Sequence, residues 1–294
     1  METKDSRRPT SNTRLVFEAP RTNSGGNNWV WFDRLRGGAV GLSSNNSGAE
    51  FTNSAVIQSD SLSTTMDGFR IQTANPINAS GNTYIYYPLR RAPGFFDVVC
   101  YTGTSSNTTI SHNLGVAPEL IICKSRSSNP GANWVVWNQT LNSSTGYLYL
   151  NATLEASNFA GVWNGAPTST YFTLGTNYQN NNSGTTFVAY LFASVSGVSK
   201  VGSYTGNGSS VTVTTDFQPR FILVKRTDST GDWLVSDSAR GLVAGNDPYL
   251  ELNTTDAEVT NEDWVDISST SFTVNQTTNN ANVNTGTYIY LCIA

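Results

Sequence analysis

The 294-residue sequence predicts an all-β protein built of tandem antiparallel β-sandwiches, jelly-roll-like, with the first copy truncated. Three observations predict it. Charged residues are only 13 % and aromatics 11 %, with Asn, Ser, Thr and Gly abundant, which is the composition of strands and turns rather than of surface helices. Segments such as VTVTT and TTISH alternate with the two-residue period of half-buried strands. Finally, the sequence repeats itself. VVCYTGTS at 98–105 returns as VGSYTGNG at 201–208, with Tyr101 and Tyr204 separated by 204 − 101 = 103 residues.

The echo continues in order. A proline follows (Pro118, Pro219), then an apolar strand ending in Lys (LIICK, FILVK). Next come a tryptophan strand (Trp134, Trp233), YLYLNATLEA against YLELNTTDAE, and STYFTLG against STSFTVN. The copies close on GTTFVAYLFA and GTYIYLCIA, apolar throughout, as expected of central strands covered on both faces. A third copy lies at the front. RLVFEAPRT resembles RFILVKRT, GNTYIYYPLR matches GTTFVAYLFA, and Trp29 to Gly37 matches Trp233 to Gly241 without a gap. The sequence therefore divides into an N-terminal arm (1–13) and units at 14–94, 95–197 and 198–294. APG at 92–94 and SVSG at 194–197 read as hinges too short for freely swinging beads. The first unit lacks the Tyr-Thr-Gly strand and its partner, so one sandwich edge should stand open. Pro88 interrupts YIYYPLR, so that this copy of the strand should end early or run at an edge.

Several function classes are disfavoured. Net charge is −4 without a basic stripe, so no nucleic-acid partner is expected. No apolar run is long enough to span a bilayer, and METKDSRRPTSN has no apolar stretch that would make it a signal peptide. Cys100, Cys123 and Cys292 sit in apolar strands and read as reduced thiols in a protein that folds in cytosol. The one histidine, His112, lies beside a turn and reads as a structural hydrogen-bonder. No catalytic residue and no cofactor is expected. The Asn-x-Ser/Thr triplets, such as those at Asn138 and Asn253, read as turn chemistry.

Four features are candidates for more than scaffolding. Trp29, Trp134 and Trp233 share one repeat position and are expected in the core, whereas Trp31, Trp137 and Trp264 are binding candidates, for an interface or a glycan. Trp137 is an odd step from Trp134, so it should face the other side of its strand and be exposed. The acidic run DAEVTNEDWVD is expected to be a solvated loop. Its carboxylates Asp256, Glu258, Glu262 and Asp263 form a weak Ca²⁺ candidate, and with Asp266 and Trp264 they suggest an acid/base pair beside a sugar platform. Asp33…Arg36-Gly37 and Asp237…Arg240-Gly241 suit a turn in which the carboxylate holds the arginine or nearby backbone N–H groups and glycine supplies positive φ. Lys4, Arg7 and Arg8 on the arm suit docking to an acidic partner.

FFDVVCYTG…ISHNLGVAPELIICKSR and VSKVGSYTG…RFILVKRTDSTGDWLVSDSARGLVAGNDPYLELNTTDAE resemble a repeat found in tail proteins of tailed bacteriophages and prophages. So does the junction from Arg90 to Asp97. The resemblance covers nearly all of the sequence after residue 14 and carries no catalytic residues with it. It implies a virion structural protein, assembled in the host cytoplasm, most naturally a tail fibre or fibre-associated protein. It also implies a homo-oligomer, with a trimer expected, contacting other virion proteins and host-surface glycan. The alternatives are a capsid decoration or head-fibre protein and a polysaccharide-binding or depolymerising tail protein.

Overall fold

A computed structural model describes residues 14–21, 28–53, 71–72, 77–141, 145–242 and 245–294. The arm with Lys4, Arg7 and Arg8 lies outside these residues. In the first unit, β1 (Arg14–Pro20), β2 (Val30–Asp33), β3 (Val40–Ser43), β4 (Phe51–Thr52) and β5 (Tyr84–Arg90) form one antiparallel sheet, ordered β4-β3-β2-β1-β5.

The second unit comprises β6 (Phe96–Thr102), β7 (Thr108–Ser111), β8 (Leu120–Ser125), β9 (Val135–Asn138), β10 (Gly146–Tyr149), β11 (Ser157–Asn158), β12 (Tyr171–Leu174), the one-turn α1 (Tyr178–Asn181) and β13 (Thr186–Phe192). Its large sheet is ordered β11-β10-β9-β8-β13-β6, and β12-β7 makes a separate ribbon.

The third unit comprises β14 (Ser199–Thr205), β15 (Val211–Thr214), β16 (Phe221–Arg226), β17 (Trp233–Asp237), β18 (Leu250–Glu251), β19 (Val265–Ile267), β20 (Ser271–Val274) and β21 (Thr287–Ile293). Its sheets are ordered β18-β17-β16-β21-β14 and β15-β20-β19. The protein is thus all-β with antiparallel sandwich architecture, as the composition predicts. The apolar runs β13 and β21 are central in their sheets and buried along nearly their whole length. The first sheet ends on β5, with its proline, where the other two continue to β6 and β14.

The Tyr-Thr-Gly motif has a local reason. The hydroxyls of Tyr101 and Tyr204 donate to the carbonyls of Asn180 (2.8 Å) and Ala281 (2.6 Å). The glycines that follow, Gly103 and Gly206, lie so close to the Asn182 and Val283 carbonyls that a Cβ at either would collide with backbone. Tyrosine therefore pins the strand end to the loop, and only glycine fits beneath that loop.

Both faces of the large sheets are covered. One face packs under its own small sheet: Ile121, Val135, Trp137 and Leu191 meet Phe172 and Leu174 in the second unit, and Ile222, Val224 and Leu234 meet Phe272 and Val274 in the third. The other face joins a single core shared by all three units, with Phe17, Trp31 and Tyr87 from the first, Ile122, Trp134 and Tyr190 from the second, and Leu223, Trp233 and Leu291 from the third. The sequence reads as three units in line, whereas the structure closes them into a ring.

The ring is held by contacts that recur at each junction. Trp134 Nε1 donates to the Ser43 carbonyl, Trp233 Nε1 to Tyr149 and Trp29 Nε1 to Glu251, each at 2.9 Å. Each of these tryptophans is nearly fully buried, and its own N–H donates to an asparagine Oδ1 (Asn45, Asn151 or Asn253). The backbone N–H groups of Glu50, Ala156 and Glu258 donate to the carbonyls of Arg126, Thr227 and Arg21, at 2.8, 2.8 and 3.0 Å. Around the ring, second bonds to first, third to second and first to third. A buried tryptophan removes about 150–250 Å² from water, so three of them with satisfied indoles supply much of the adhesion between units.

Side-chain fill varies on this constant frame. Buried Lys124 caps the carbonyls of Ser47 and Ala132 (2.9 Å each), and Lys225 caps those of Thr153 (3.2 Å) and Arg226 (2.7 Å). Burial pushes both ammonium groups down to about 8. The corresponding position on β1 is Ala19.

Candidate functional site

The junction between the third and first units places buried ion pairs beside an open cleft. β17 ends at Asp237, and the chain turns at once. Asp237 Oδ1 accepts the N–H groups of Ala239 (2.9 Å) and Arg240 (3.0 Å), and Gly241 takes φ 107°. This turn delivers the Arg240 guanidinium back onto Asp237 Oδ2 (2.5 Å), onto the Val235 carbonyl (2.9 Å) and onto Glu258 (3.0 Å). Glu258 is paired in turn with Arg21 at 2.9 Å. From the first unit, the Tyr87 hydroxyl donates to Asp237 Oδ2 (2.6 Å) and accepts from Arg240 Nη2 (3.0 Å). Burial, with the Asp237 carboxylate adding to it and Arg240 opposing, holds the Tyr87 phenol well above its usual range. It therefore stays protonated as a donor. These bonds tie the third unit to the first.

The first–second junction builds the same cluster from Asp33, Arg36 and Tyr190, with Arg36 Nε 2.5 Å from Asp33, Tyr190 Oη 2.9 Å from Asp33 and Gly37 at φ 95°. Both turns are as the spacing predicts. At the second–third junction the corresponding residues are Asn138, Leu141 and Leu291, all three members having changed together. Asn138 and Leu291 line one small apolar void there, and Asn138 Nδ2 has no hydrogen-bond partner among the described residues.

Beside Tyr87 and Asp237 lies a cleft of about 160 Å³, also lined by Ile85, Arg220, Phe221 and Ala239. Tyr87 is 8 % exposed, whereas Tyr190 in the matching position is 0 %.

The tryptophan candidates are not at the surface. Trp31 stacks in the common core against Phe17, with its centroid 5.3 Å from that of Trp134. Trp137 does face away from Trp134, but that side lies under the β12-β7 ribbon, so the expectation that it is exposed is corrected. Trp264 is fully buried and donates to Ser236 Oγ at 3.0 Å.

The acidic set Asp256, Glu258, Glu262 and Asp263 does not converge. Glu258 serves Arg21 and Arg240, Glu262 accepts from Tyr249 and Gln276, and Asp256 is exposed. Among the described residues, the carboxylates that do meet are Asp247, Asp263 and Asp266, with oxygens within 4.8 Å of one another. Asn275 bonds to both Asp263 and Asp266, and the Val265 N–H donates to Asp247. Asp247 was missed because it stands 16 residues before Asp263, outside the acidic run.

His112 is buried and structural. Its Nδ1 accepts the Leu114 N–H (3.2 Å), so Nε2 carries the proton and donates to the Thr168 carbonyl (3.1 Å). Burial lowers its pKa. The three cysteines are unpaired.

Among the described residues, the most exposed aromatics are Phe159 (55 %), Tyr178 (47 %) and Tyr171 (38 %), all on the second unit. A signal for them was present: β12 pairs with β7 as β20 pairs with β15, and there Tyr171 corresponds to Ser271, whereas its buried neighbour Phe172 corresponds to Phe272. An aromatic that its counterpart does without is not required by the fold.

A family profile described as a domain of unknown function, DUF7483, matches residues 91–294. The chain belongs to this family. The match spans the second and third units and leaves the first outside it. No curated protein matches the chain. No helix among the described residues is long and apolar enough to cross a membrane.

Proposed function

We propose that the protein is a non-enzymatic structural component of a tailed-bacteriophage particle, a tail fibre or fibre-associated protein acting in assembly and host-surface adhesion. The observation that carries this reading is the use made of the buried charges. Asp33, Arg36, Asp237, Arg240, Glu258, Lys124 and Lys225 all bond across or beside unit junctions. A chain that commits its ionisable groups to stiffening a three-unit ring is suited to bearing load. The likeness of its repeat to phage tail proteins supports the same reading, and the exposed aromatics of the second unit offer stacking surface for a glycan.

The reading includes self-association, with a homotrimer the expected stoichiometry, which light scattering of the purified protein would measure. The deciding experiment is immunogold labelling of purified particles together with a cell-binding assay on the host. Label on tails and saturable binding to host envelopes are the expected results. Label confined to tail-less heads, or release of oligosaccharide from host polysaccharide, would refute it.

A further inference from the structure

Among the described residues, two of the three junctions are closed by a strand that has no counterpart at the remaining one. In the second unit β6 lies antiparallel along β13, with Val98 opposite Tyr190 and Cys100 opposite Val188, and Phe96 and Val98 enter the common core. In the third, β14 lies along β21, with Val201 opposite Leu291 and Ser203 opposite Ile289, and Val201 enters the core. The matching positions in the first unit are Tyr87 and Ile85 on β5. No described strand lies along the outer edge of β5, and the cleft opens there instead.

We propose that this cleft is a docking site for an extended segment of a different polypeptide, which adds to β5 as an antiparallel edge strand and seats a small aliphatic side chain against Tyr87 and Phe221. Main-chain hydrogen bonds along the open edge supply affinity, and the cleft supplies specificity. The two internal strands, FDVVCYT and SKVGSYT, define the chemistry of the occupant. Both place valine at the position facing the core and a small, weakly polar residue two positions later (Cys100, Ser203). Cys100 lies near enough to Asp33 and Arg36 for their charges to act on its thiol, so the equivalent residue of the incoming strand would sit over Asp237 and Arg240. Arg220 lines the cleft and Arg90 ends β5, both exposed, which favours a segment carrying an acidic residue.

A second copy of this chain is a poor occupant, because both of its described strands of this pattern are already paired with β13 and β21. The docking holds whether or not the chain sits in a phage particle, so its failure would leave the proposed function standing.

The probe is a labelled peptide of the β14 sequence with glutamate in place of its lysine, SEVGSYT, titrated into the full chain and followed by fluorescence anisotropy and by hydrogen exchange of residues 84–90. The expected result is saturable binding with slowed exchange in β5. Binding should weaken at least tenfold when proline replaces the glycine of the peptide, and at least tenfold when Ala239→Trp fills the cleft. The peptide control stands even if that variant folds poorly. Absence of saturable binding, or binding without protection of β5, would overturn the proposal. Binding that appears only after deletion of residues 1–13 would also overturn it, since the chain would then cover its own cleft. So would concentration-dependent dimerisation that protects β5.

Discussion

The second–third and third–first junctions share one backbone frame and fill it in opposite ways. At the first of these the turn is uncharged, with Asn138, Leu141 and Leu291, and nearby Lys225 caps the Thr153 carbonyl, while at the second it is ionic, with Asp237, Arg240, Tyr87, Glu258 and Arg21. Common to both are a tryptophan indole and a backbone N–H reaching across to a carbonyl. The frame thus closes the ring, while the fill is exchangeable provided that it changes as a set. A lone carboxylate or guanidinium in such a site would be buried without a partner, which costs far more than an apolar pair of the same size.

The largest effect should come from breaking the frame itself. Trp233→Ala and Trp134→Ala each remove a buried indole that bridges two units, and each is expected to cost about 3–5 kcal/mol by urea denaturation. The two losses should agree within about 1 kcal/mol, because the contact is the same whatever surrounds it. A Trp233→Ala loss close to zero beside a full Trp134→Ala loss would show that the apolar junction does not need the frame.

Next in size is the fill. Arg240→Leu alone strands Asp237 and half of Glu258's pairing in a buried site, and should cost about 3–5 kcal/mol. Adding Asp237→Asn and Tyr87→Leu transplants the apolar set, and should recover stability to within about 1 kcal/mol of the parent. If the triple variant stays as unstable as the single one, the fills are not interchangeable and the ionic set has a role beyond closing the ring.

These comparisons also mark what could be read in the sequence. The Asp-x-x-Arg-Gly turns, the Tyr-Thr-Gly strand ends, the shared tryptophan and the place of β5 at the edge of the described strands are local, and their residue types dictate their geometry. Ring closure was not legible, because a strand's alternation says which residues share a face but not what covers it. Trp137 is the instance: its face was read correctly and its exposure wrongly, since both faces of the large sheet are buried. The coupled exchange of Asp, Arg and Tyr for Asn, Leu and Leu was in the letters, but Tyr87 and Asp237 are 150 residues apart and only the ring makes them neighbours. The convergent carboxylates of Asp247, Asp263 and Asp266 were hidden likewise, by a loop that folds back.

A smaller effect separates the covered ionic junction from the open one. Tyr190→Phe leaves Asp33 and Arg36 short of a hydrogen bond in a sealed site, at an expected cost of about 1–3 kcal/mol. Tyr87→Phe removes the same bond beside an open cleft, where water can replace the hydroxyl, and should cost about 1 kcal/mol or less. Equal losses would mean that the cleft does not admit water to Asp237, and that the difference in exposure between the two tyrosines has no energetic consequence.

The smallest effect is one of pH. Glu251, whose carbonyl receives the Trp29 indole, has its carboxyl pushed up to about 7 by burial, with Asp232 and Asp256 adding to it. An acid with a raised folded-state value holds its proton more tightly when folded than when unfolded. Between the ordinary carboxylate range and pH 7 the folded state therefore binds more protons, and stability falls as pH rises through that window. Glu251→Gln should leave the melting temperature nearly unchanged at pH 4.5 and raise it by a degree or two at pH 8, the gap opening between those limits. The group is partly exposed, so solvent screening keeps the effect small. A gap that is constant with pH would place the Glu251 charge outside the energetics of the third–first junction, and would leave Tyr87, Asp237, Arg240, Glu258 and Arg21 as the whole of its ionic character.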